Sequence, residues 1–101
     1  PVEAAKALAG DTRLVVARLG PSGAVACSAS DVTAVPGCEV TVVDTVGAGD
    51  AFNAGFIAAR IRQSNVAEAV RWGNAVAALT VSRAGARSTP TRREVQALLD
   101  R

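Results

Sequence analysis

A chain of 101 residues is limited to one domain with a modest hydrophobic core. Half of its residues are hydrophobic, mostly Ala and Val, and only 3% are aromatic, which favours helices packed closely against a sheet. The net charge of +2 comes from scattered basic residues without interleaved aromatic side chains, and this argues against nucleic-acid binding.

The cysteine content and the hydropathy pattern indicate where such a chain would be found. Cys27 and Cys38 lack the spacing of zinc ligands, and no histidine is present to complete a metal site. We therefore expect free thiols in a reducing compartment, the cytoplasm. No apolar run approaches the roughly 18 residues of a membrane span, and no signal peptide is found, so we expect a soluble protein.

The first half of the chain predicts one helix and four short strands. Residues 2–9 are rich in Ala and favour a helix, and the abrupt start suggests a fragment of a longer protein. The apolar run of residues 14–17 suits a strand covered on both faces, as in a parallel sheet. Runs at residues 24–27 and 32–35 lie so close in sequence that they can pair only as antiparallel hairpins. Residues 40–43 are predicted to form the fourth strand.

The second half predicts three helices. From residue 48 to residue 62, apolar residues recur at helical spacing and give one packed face. Asn65 has the form of an N-cap for a helix over residues 66–81, which is apolar on two faces and so largely buried. Thr91 and Glu94 have the spacing of a capping box that opens the last helix. The expected fold class is therefore α/β, with short antiparallel strands followed by three helices.

The stretch between the fourth strand and the next helix carries the most informative chemistry. A strand that leads through a glycine turn into a helix directs several backbone N–H groups to one point, at the positive end of the helix dipole. Gly47, Ala48 and Gly49 would supply these donors as an anion hole. Because Gly47 and Gly49 have no Cβ, we expect both to let a ligand approach the backbone closely and to adopt backbone angles closed to other residues. Asp50 beside them would repel a bound phosphate, so it suits a general base that takes a proton from an attacking hydroxyl. Its alternative role is stabilisation of the helix dipole from the first turn.

The residues Asp44-Thr45-Val46-Gly47-Ala48-Gly49-Asp50-Ala51-Phe52 resemble the second signature of the PfkB (ribokinase-like) carbohydrate kinase family, D-T-x-G-A-G-D-x-F. The similarity runs from about Leu14 to the end of the chain and corresponds to the last third of a family member. It implies that residues 1–101 are the C-terminal, nucleotide-binding part of a ribokinase-like three-layer α/β/α fold. It also implies an ATP-dependent phosphotransferase that transfers the γ-phosphate to a sugar or nucleoside hydroxyl. Mg²⁺ is then expected, since it bridges ATP phosphates.

The resemblance implies further nucleotide-binding residues, namely Arg18, Gly20, Gly23 and Asn74. The two glycines match a T-L-G-x-x-G turn that lies along the nucleotide in the family, although a simple hairpin turn explains them equally well. Arg18 stands where Thr is common, so a guanidinium would replace the hydroxyl. Asn74 matches a position that faces the adenine or ribose, but a polar side chain in a buried helix needs a partner in any case.

A monovalent cation site is implied in the same way. In several members of the family, an aspartate before the anion loop and a set of backbone carbonyls hold this ion. Carried over to this chain, the ligands are Asp44, Val46, Thr80, Arg83, Gly85 and Ser88. Carbonyls with one carboxylate suit a large, weakly hydrated ion such as K⁺. Asp44 is also explained by an Asx turn at the strand-to-helix bend.

Asn53, one turn after Gly49, is a further candidate site residue beside the anion hole. A position on the helix surface explains it as well.

Two other functions fit parts of the sequence. A dinucleotide-binding Rossmann unit needs a third glycine where Phe52 stands, and it would leave Asp50 facing a pyrophosphate without a purpose. A non-catalytic nucleotide-binding fragment or degenerate kinase end is the stronger alternative, because the sugar-binding residues of the family precede its last third. The expected partners are ATP and a small sugar or nucleoside, with no nucleic acid and no membrane. A homo-oligomer is left open.

Overall fold

The computed structural model describes residues 14–28, 31–83 and 90–101, and these parts of the chain form three strands and three helices. The strands are β1 (Val15–Arg18), β2 (Ala24–Cys27) and β3 (Val32–Val35), with a 3₁₀ turn at Gly20–Ser22. The helices are α1 (Ala48–Ile61), α2 (Val66–Val81) and α3 (Arg92–Leu99). The helix predicted over residues 2–9 lies outside the described residues. None of the described helices is both long and apolar enough to span a bilayer.

The three strands form one antiparallel sheet in chain order. Cys27 of β2 lies opposite Val15 of β1 and Val32 of β3. The predicted antiparallel hairpin of residues 24–27 with 32–35 is confirmed, and β1 forms a second one with β2. The prediction of a parallel strand covered on both faces is wrong for β1, which is half-buried and pairs in antiparallel orientation. The central strand β2 is the one buried along its whole length. A continuous apolar run therefore indicates burial here without indicating strand direction.

The fourth predicted strand, residues 40–43, does not form. The N–H groups of Val43 and Asp44 both donate to the Val81 carbonyl at the end of α2, at 2.7 and 2.9 Å. No strand in the described parts of the chain runs beside this segment, and Val42 and Val43 are more than half exposed. A β-branched run becomes a strand only where a partner strand completes its hydrogen bonds, because its propensity reflects packing against neighbours.

The sheet packs against α2, and α1 packs closely on α2. Ala24 and Ala26 of β2 join Phe52 and Val70 in one core cluster. On the opposite face of β2, Val25 and Cys27 are also buried, with apolar residues of β1 beside them. Burial of both sheet faces agrees with a three-layer arrangement.

Glycines allow the close contact between α1 and α2. A Cβ at Gly55 would lie 2.7 Å from Val76 Cγ2, and a Cβ at Gly73 would lie 2.7 Å from Phe52 Cε2. Both distances are too short for real atoms, so larger side chains here would push the helices apart. This contact fixes α1, and with it the glycine turn that begins the helix.

The caps of α2 and α3 agree with the sequence predictions. Asn65 Oδ1 accepts a hydrogen bond from the Glu68 N–H at 2.9 Å. Thr91 and Glu94 form the complete capping box. Glu94 also forms an ion pair with Arg83, which ties the end of α2 to the start of α3.

The Glu94 contacts predict a pH dependence of stability. The hydrogen bond from the Thr91 N–H, followed by that from Arg83, lowers the pKa of the Glu94 carboxyl. A lowered folded-state pKa stabilises the fold above the unfolded-state pKa, about 4.3 for Glu, and this stabilisation is lost as the pH falls through the folded value. Urea unfolding measured from pH 7 to pH 3 should therefore show a loss of stability that is smaller in Glu94→Gln. Glu39→Gln, which removes an exposed carboxylate, should leave the parent's pH profile unchanged; identical profiles for all three proteins would contradict the prediction.

Candidate functional site

The turn before α1 presents backbone donors without intramolecular acceptors. Gly47 caps the helix in the left-handed conformation, with φ of 83°, and no side chain caps it. A residue with a Cβ adopts this conformation only with strain, so glycine is required here. Ala48 N–H donates to the Thr45 carbonyl at 3.3 Å. Among the described residues, no acceptor takes the N–H of Gly47, Gly49 or Asp50, so these three donors are available to a bound anion.

Gly49 has a different role from Gly47. It lies within the first turn of α1, and its φ is not positive, so the expectation of an unusual backbone angle at Gly49 is wrong. A Cβ at this position would instead lie 2.9 Å from both terminal nitrogens of Arg18. The missing side chain leaves room for that guanidinium against the helix.

Asp50 is the third residue of α1, and its side chain is exposed. Its carboxylate forms no ion pair or hydrogen bond with any residue of the described ranges. A carboxylate needed only for the fold would be expected to cap a free N–H, as Asn65 does for α2. The Asp50 carboxylate is therefore available to a ligand bound at the start of α1.

A cleft of about 910 Å³ adjoins the turn. Its walls are the β1–β2 loop, residues 37–42, the start of α1 and one face of α2. It brings together five of the residues predicted to bind the nucleotide or phosphate, which are Arg18, Gly20, Gly23, Ala48 and Asn74. A cleft of this size accommodates a ligand as large as a nucleotide. Asn53 is exposed and does not line the cleft, which agrees with a helix-surface position.

The two glycines of the β1–β2 loop differ in what they require. A Cβ at Gly23 would collide with the Val35 carbonyl, and its φ is 105°, so packing against β3 demands a glycine there. Gly20 has a φ of 61° with open space where a Cβ would stand. Gly23 therefore has a sufficient structural explanation, whereas Gly20 leaves the side of the cleft accessible.

Asn74 combines a structural contact with a free acceptor. Its Nδ2 donates to the carbonyls of Val35 and Pro36 at 3.3 and 3.1 Å, which joins α2 to the end of β3. The residue is only 7% exposed and lines the cleft. Among the described residues, no group donates a hydrogen bond to its Oδ1. Every fully buried side-chain nitrogen or oxygen in these parts of the chain has a hydrogen-bond partner, so Oδ1 is not fully buried and is accessible from the cleft. A bound molecule can therefore donate a hydrogen bond to Asn74.

The described members of the set expected to hold a monovalent cation lie near the end of α2. Asp44 Oδ1 accepts the Val46 N–H at 2.9 Å, which confirms the Asx turn. The Asp44 N–H donates to the Val81 carbonyl at the end of α2. Asp44 and Val46 therefore lie beside the last turn of this helix, which contains Thr80. The C-terminal end of a helix favours a positive charge. Arg83 follows directly, while Gly85 and Ser88 lie outside the described residues.

The described residues offer few carboxylates for a protein-bound Mg²⁺. In the described parts of the chain, no group of three or more His, Cys, Asp or Glu side chains could hold a metal ion. Asp44 with nearby carbonyls suits a weakly hydrated monovalent ion. Mg²⁺ takes few protein ligands when it is bound through nucleotide phosphates, so the small number of carboxylates is compatible with a Mg²⁺–nucleotide complex.

The far end of the cleft contains residues that the sequence did not indicate. Arg101 Nη2 donates to the Glu39 carbonyl at 2.6 Å, and Cys38 lies next to this contact. Burial raises the pKa of the Cys38 thiol, although Arg101 and Arg71 oppose the effect. The contact joins residues 62 positions apart, so no local pattern could have revealed it.

Comparison with known proteins gives the same assignment as the sequence signature. The model of the pfkB family of carbohydrate kinases matches residues 1–92. An ATP-dependent ribose-1-phosphate kinase from Halopiger xanaduensis is 45% identical over 89 residues, which are 88% of this chain and 30% of that protein.

Solved structures show the same fold. Arabidopsis thaliana ribokinase complexed with ribose and ATP has a TM-score of 0.81 at 34% identity, over 85% of this chain and 28% of that one. Vibrio cholerae fructokinase with bound fructose, ADP and calcium ion has a TM-score of 0.75 at 33% identity, over 85% and 30%. The chain thus spans about 30% of the length of these relatives. Because the family model covers most of its residues, the chain belongs to the pfkB family of carbohydrate kinases.

Proposed function

We propose that this chain is the C-terminal, nucleotide-binding part of a kinase that transfers the γ-phosphate of ATP to a hydroxyl of a sugar or nucleoside. The observation that carries this proposal is the uncapped start of α1, with the free Asp50 carboxylate in its first turn, beside the cleft that contains Asn74. The relatives support the class of acceptor, since their names refer to ribose, ribose 1-phosphate and fructose.

The proposed mechanism uses Asp50 as the general base. The acceptor hydroxyl oxygen forms a bond to the γ-phosphorus, and the bond from that phosphorus to the bridging oxygen breaks and releases ADP. The hydroxyl proton moves to the Asp50 carboxylate. The N–H groups of Gly47, Gly49 and Asp50 stabilise the negative charge on the transferring group, because no acceptor among the described residues occupies them.

The nucleotide is proposed to occupy the cleft with its phosphates toward α1. The open side of Gly20 lets the phosphate chain approach the β1–β2 loop, and Asn74 Oδ1 accepts a hydrogen bond from the base or ribose. Mg²⁺, when bound to the phosphates, neutralises part of their charge. Arg18 lies on the phosphate side of the cleft, beside Gly49.

Nucleotide in this cleft should protect Cys38 from alkylation. Cys27 is fully buried, whereas Cys38 is partly accessible and lines the cleft. ATP at roughly ten times its Kd should slow labelling by about tenfold, because only the free protein reacts. The measurement is iodoacetamide labelling of the peptide that contains Cys38, followed by mass spectrometry, above pH 8 because the raised pKa slows the reaction at neutral pH.

Two controls make the protection experiment specific. Cys38→Ser should lose the label, and adenosine with separate inorganic phosphate should protect less than ATP. Equal labelling rates with and without saturating ATP would exclude the cleft as the nucleotide site.

The monovalent cation site predicts activation by K⁺. At fixed Mg²⁺ concentration and ionic strength, the longer protein that carries this chain should be several-fold faster in K⁺ than in tetramethylammonium. Asp44→Asn should remove most of this difference, because the amide can still accept the Val46 N–H but carries no charge. Equal parent rates in the two cations would rule out the site.

A further inference from the structure

The Arg18 side chain reaches from the end of β1 to the first turn of α1. A Cβ built at Gly49 would lie 2.9 Å from Nη1, 2.9 Å from Nη2 and 3.1 Å from Cζ of Arg18. Both terminal nitrogens of Arg18 therefore lie against the first turn of α1, slightly nearer to it than Cζ does.

The exposed Arg18 side chain places its guanidinium beside the start of α1 without an anionic partner among the described residues. The start of a helix carries a partial positive charge, and the guanidinium adds a full positive charge beside it. No carboxylate in the described residues pairs with Arg18, and none of their acceptors takes a hydrogen bond from it. A phosphoryl group bound there would interact favourably with both charges.

The location beside Gly49 indicates which part of the nucleotide Arg18 would contact. Gly49 directly precedes Asp50, so the guanidinium lies next to the turn that carries the proposed base. The reacting phosphorus must be close to the hydroxyl that Asp50 deprotonates. Two parallel hydrogen bonds from one guanidinium can then reach two oxygens of the same phosphoryl group.

We propose that Arg18 is a catalytic residue whose guanidinium contacts the transferring γ-phosphoryl group and stabilises its charge in the transition state. This assignment rests on the proposed kinase function. A contact made to the transferring group should appear in kcat. A contact made only to the remaining phosphates of ATP would appear in KM and in the affinity for ADP.

The test compares Arg18→Thr and Arg18→Lys in the longer protein that carries this chain. Arg18→Thr should lower kcat by about 10²–10³, the usual effect of removing one donor from the transition state. Its KM for ATP and its Kd for ADP should stay within about threefold of the parent values, and Arg18→Lys should recover part of kcat. The control is Arg93→Thr, which removes an exposed guanidinium from α3 and should leave kcat unchanged.

A second pair of variants tests the contact between Arg18 and Gly49. Gly49→Ala in the parent should displace the guanidinium and lower kcat by tenfold or more, on the order of one lost hydrogen bond. In the Arg18→Thr background the same change should lower kcat by less than about threefold, because no guanidinium remains to be displaced. Thermal unfolding of each variant distinguishes loss of folding from loss of chemistry.

The possible outcomes separate this assignment from the function on which it rests. If the parent transfers phosphate and the kcat of Arg18→Thr stays within about threefold of the parent value, the role of Arg18 is overturned while the proposed kinase function stands. An increase in KM and in the Kd for ADP at unchanged kcat would also overturn it. A parent that neither binds ADP nor transfers phosphate would overturn the proposed function together with the assignment.

Discussion

Asp50→Asn in the longer protein that carries this chain is expected to lower kcat by about 10²–10⁴, the usual contribution of a positioned general base. Asparagine has the same size but cannot accept the proton of the attacking hydroxyl. The fold should survive with a change in stability within about 1 kcal/mol, because the Asp50 side chain contacts no described residue through a hydrogen bond or ion pair. KM for ATP should change little or fall slightly, since a negative charge near the γ-phosphate is removed.

Steady-state kinetics and urea unfolding of the same preparations measure this prediction. Asp100→Asn is a matched control, because it removes an exposed carboxylate at the end of α3 that does not line the cleft. Lost stability with normal turnover per folded molecule would make Asp50 a structural residue. Tighter dinucleotide binding by the variant would favour a Rossmann-type site instead.

Gly49→Val is expected to abolish most activity while leaving the helix intact. Its Cβ would displace the Arg18 guanidinium, and its methyl groups would cover the N–H donors at the start of α1. A loss of at least about 10² in kcat is expected, because several contacts to the transferring group are affected at once. Valine is no worse a helix former than glycine, and the backbone here is helical, so stability should change by less than about 1 kcal/mol.

Ala54→Val provides the control for Gly49→Val. Residue 54 is exposed on the same helix, so this change adds a branched side chain without blocking the turn. Activity per folded molecule, with folding followed by circular dichroism, is the quantity to compare. A folded Gly49→Val variant with near-normal kcat would show that this turn does not hold the phosphate.

The helices could be predicted from the sequence because the signals that define them are local. Asn65 with Glu68 and Thr91 with Glu94 lie three residues apart, and the structure has the corresponding caps. The antiparallel pairing of β2 with β3 was equally predictable, since their connection is too short for a crossover, whereas the apolar run of β1 favoured a parallel strand that did not form. The glycine turn and its free N–H groups could be predicted from the glycines at the start of the helical pattern, although the strand predicted before them is absent and the Ala48 N–H donates to the Thr45 carbonyl.

The features that sequence reasoning missed depend on distant contacts. Residues 40–43 have strand propensity, but no described strand lies beside them, so the pattern alone gave the wrong element. The contact of Arg18 with Gly49 joins the end of a strand to a helix 31 positions later, and the reason for a glycine at that position was therefore misassigned to backbone conformation. The hydrogen bond from Arg101 to the Glu39 carbonyl likewise joins residues that are far apart in the sequence. Local patterns carry no information on which side chains the folded chain brings together.

Phosphoryl transfer with Asp50 as the general base is tested most directly by transfer of label from γ-³²P-ATP to a panel of sugars, sugar phosphates and nucleosides. The longer protein that carries this chain should form a labelled phosphate ester with at least one acceptor, in the presence of Mg²⁺, and Asp50→Asn should form it at least about 10² times more slowly. A parent that binds ATP without transferring label to any acceptor would favour the non-catalytic alternative. Transfer by Asp50→Asn within about threefold of the parent rate would contradict the mechanism proposed for this site.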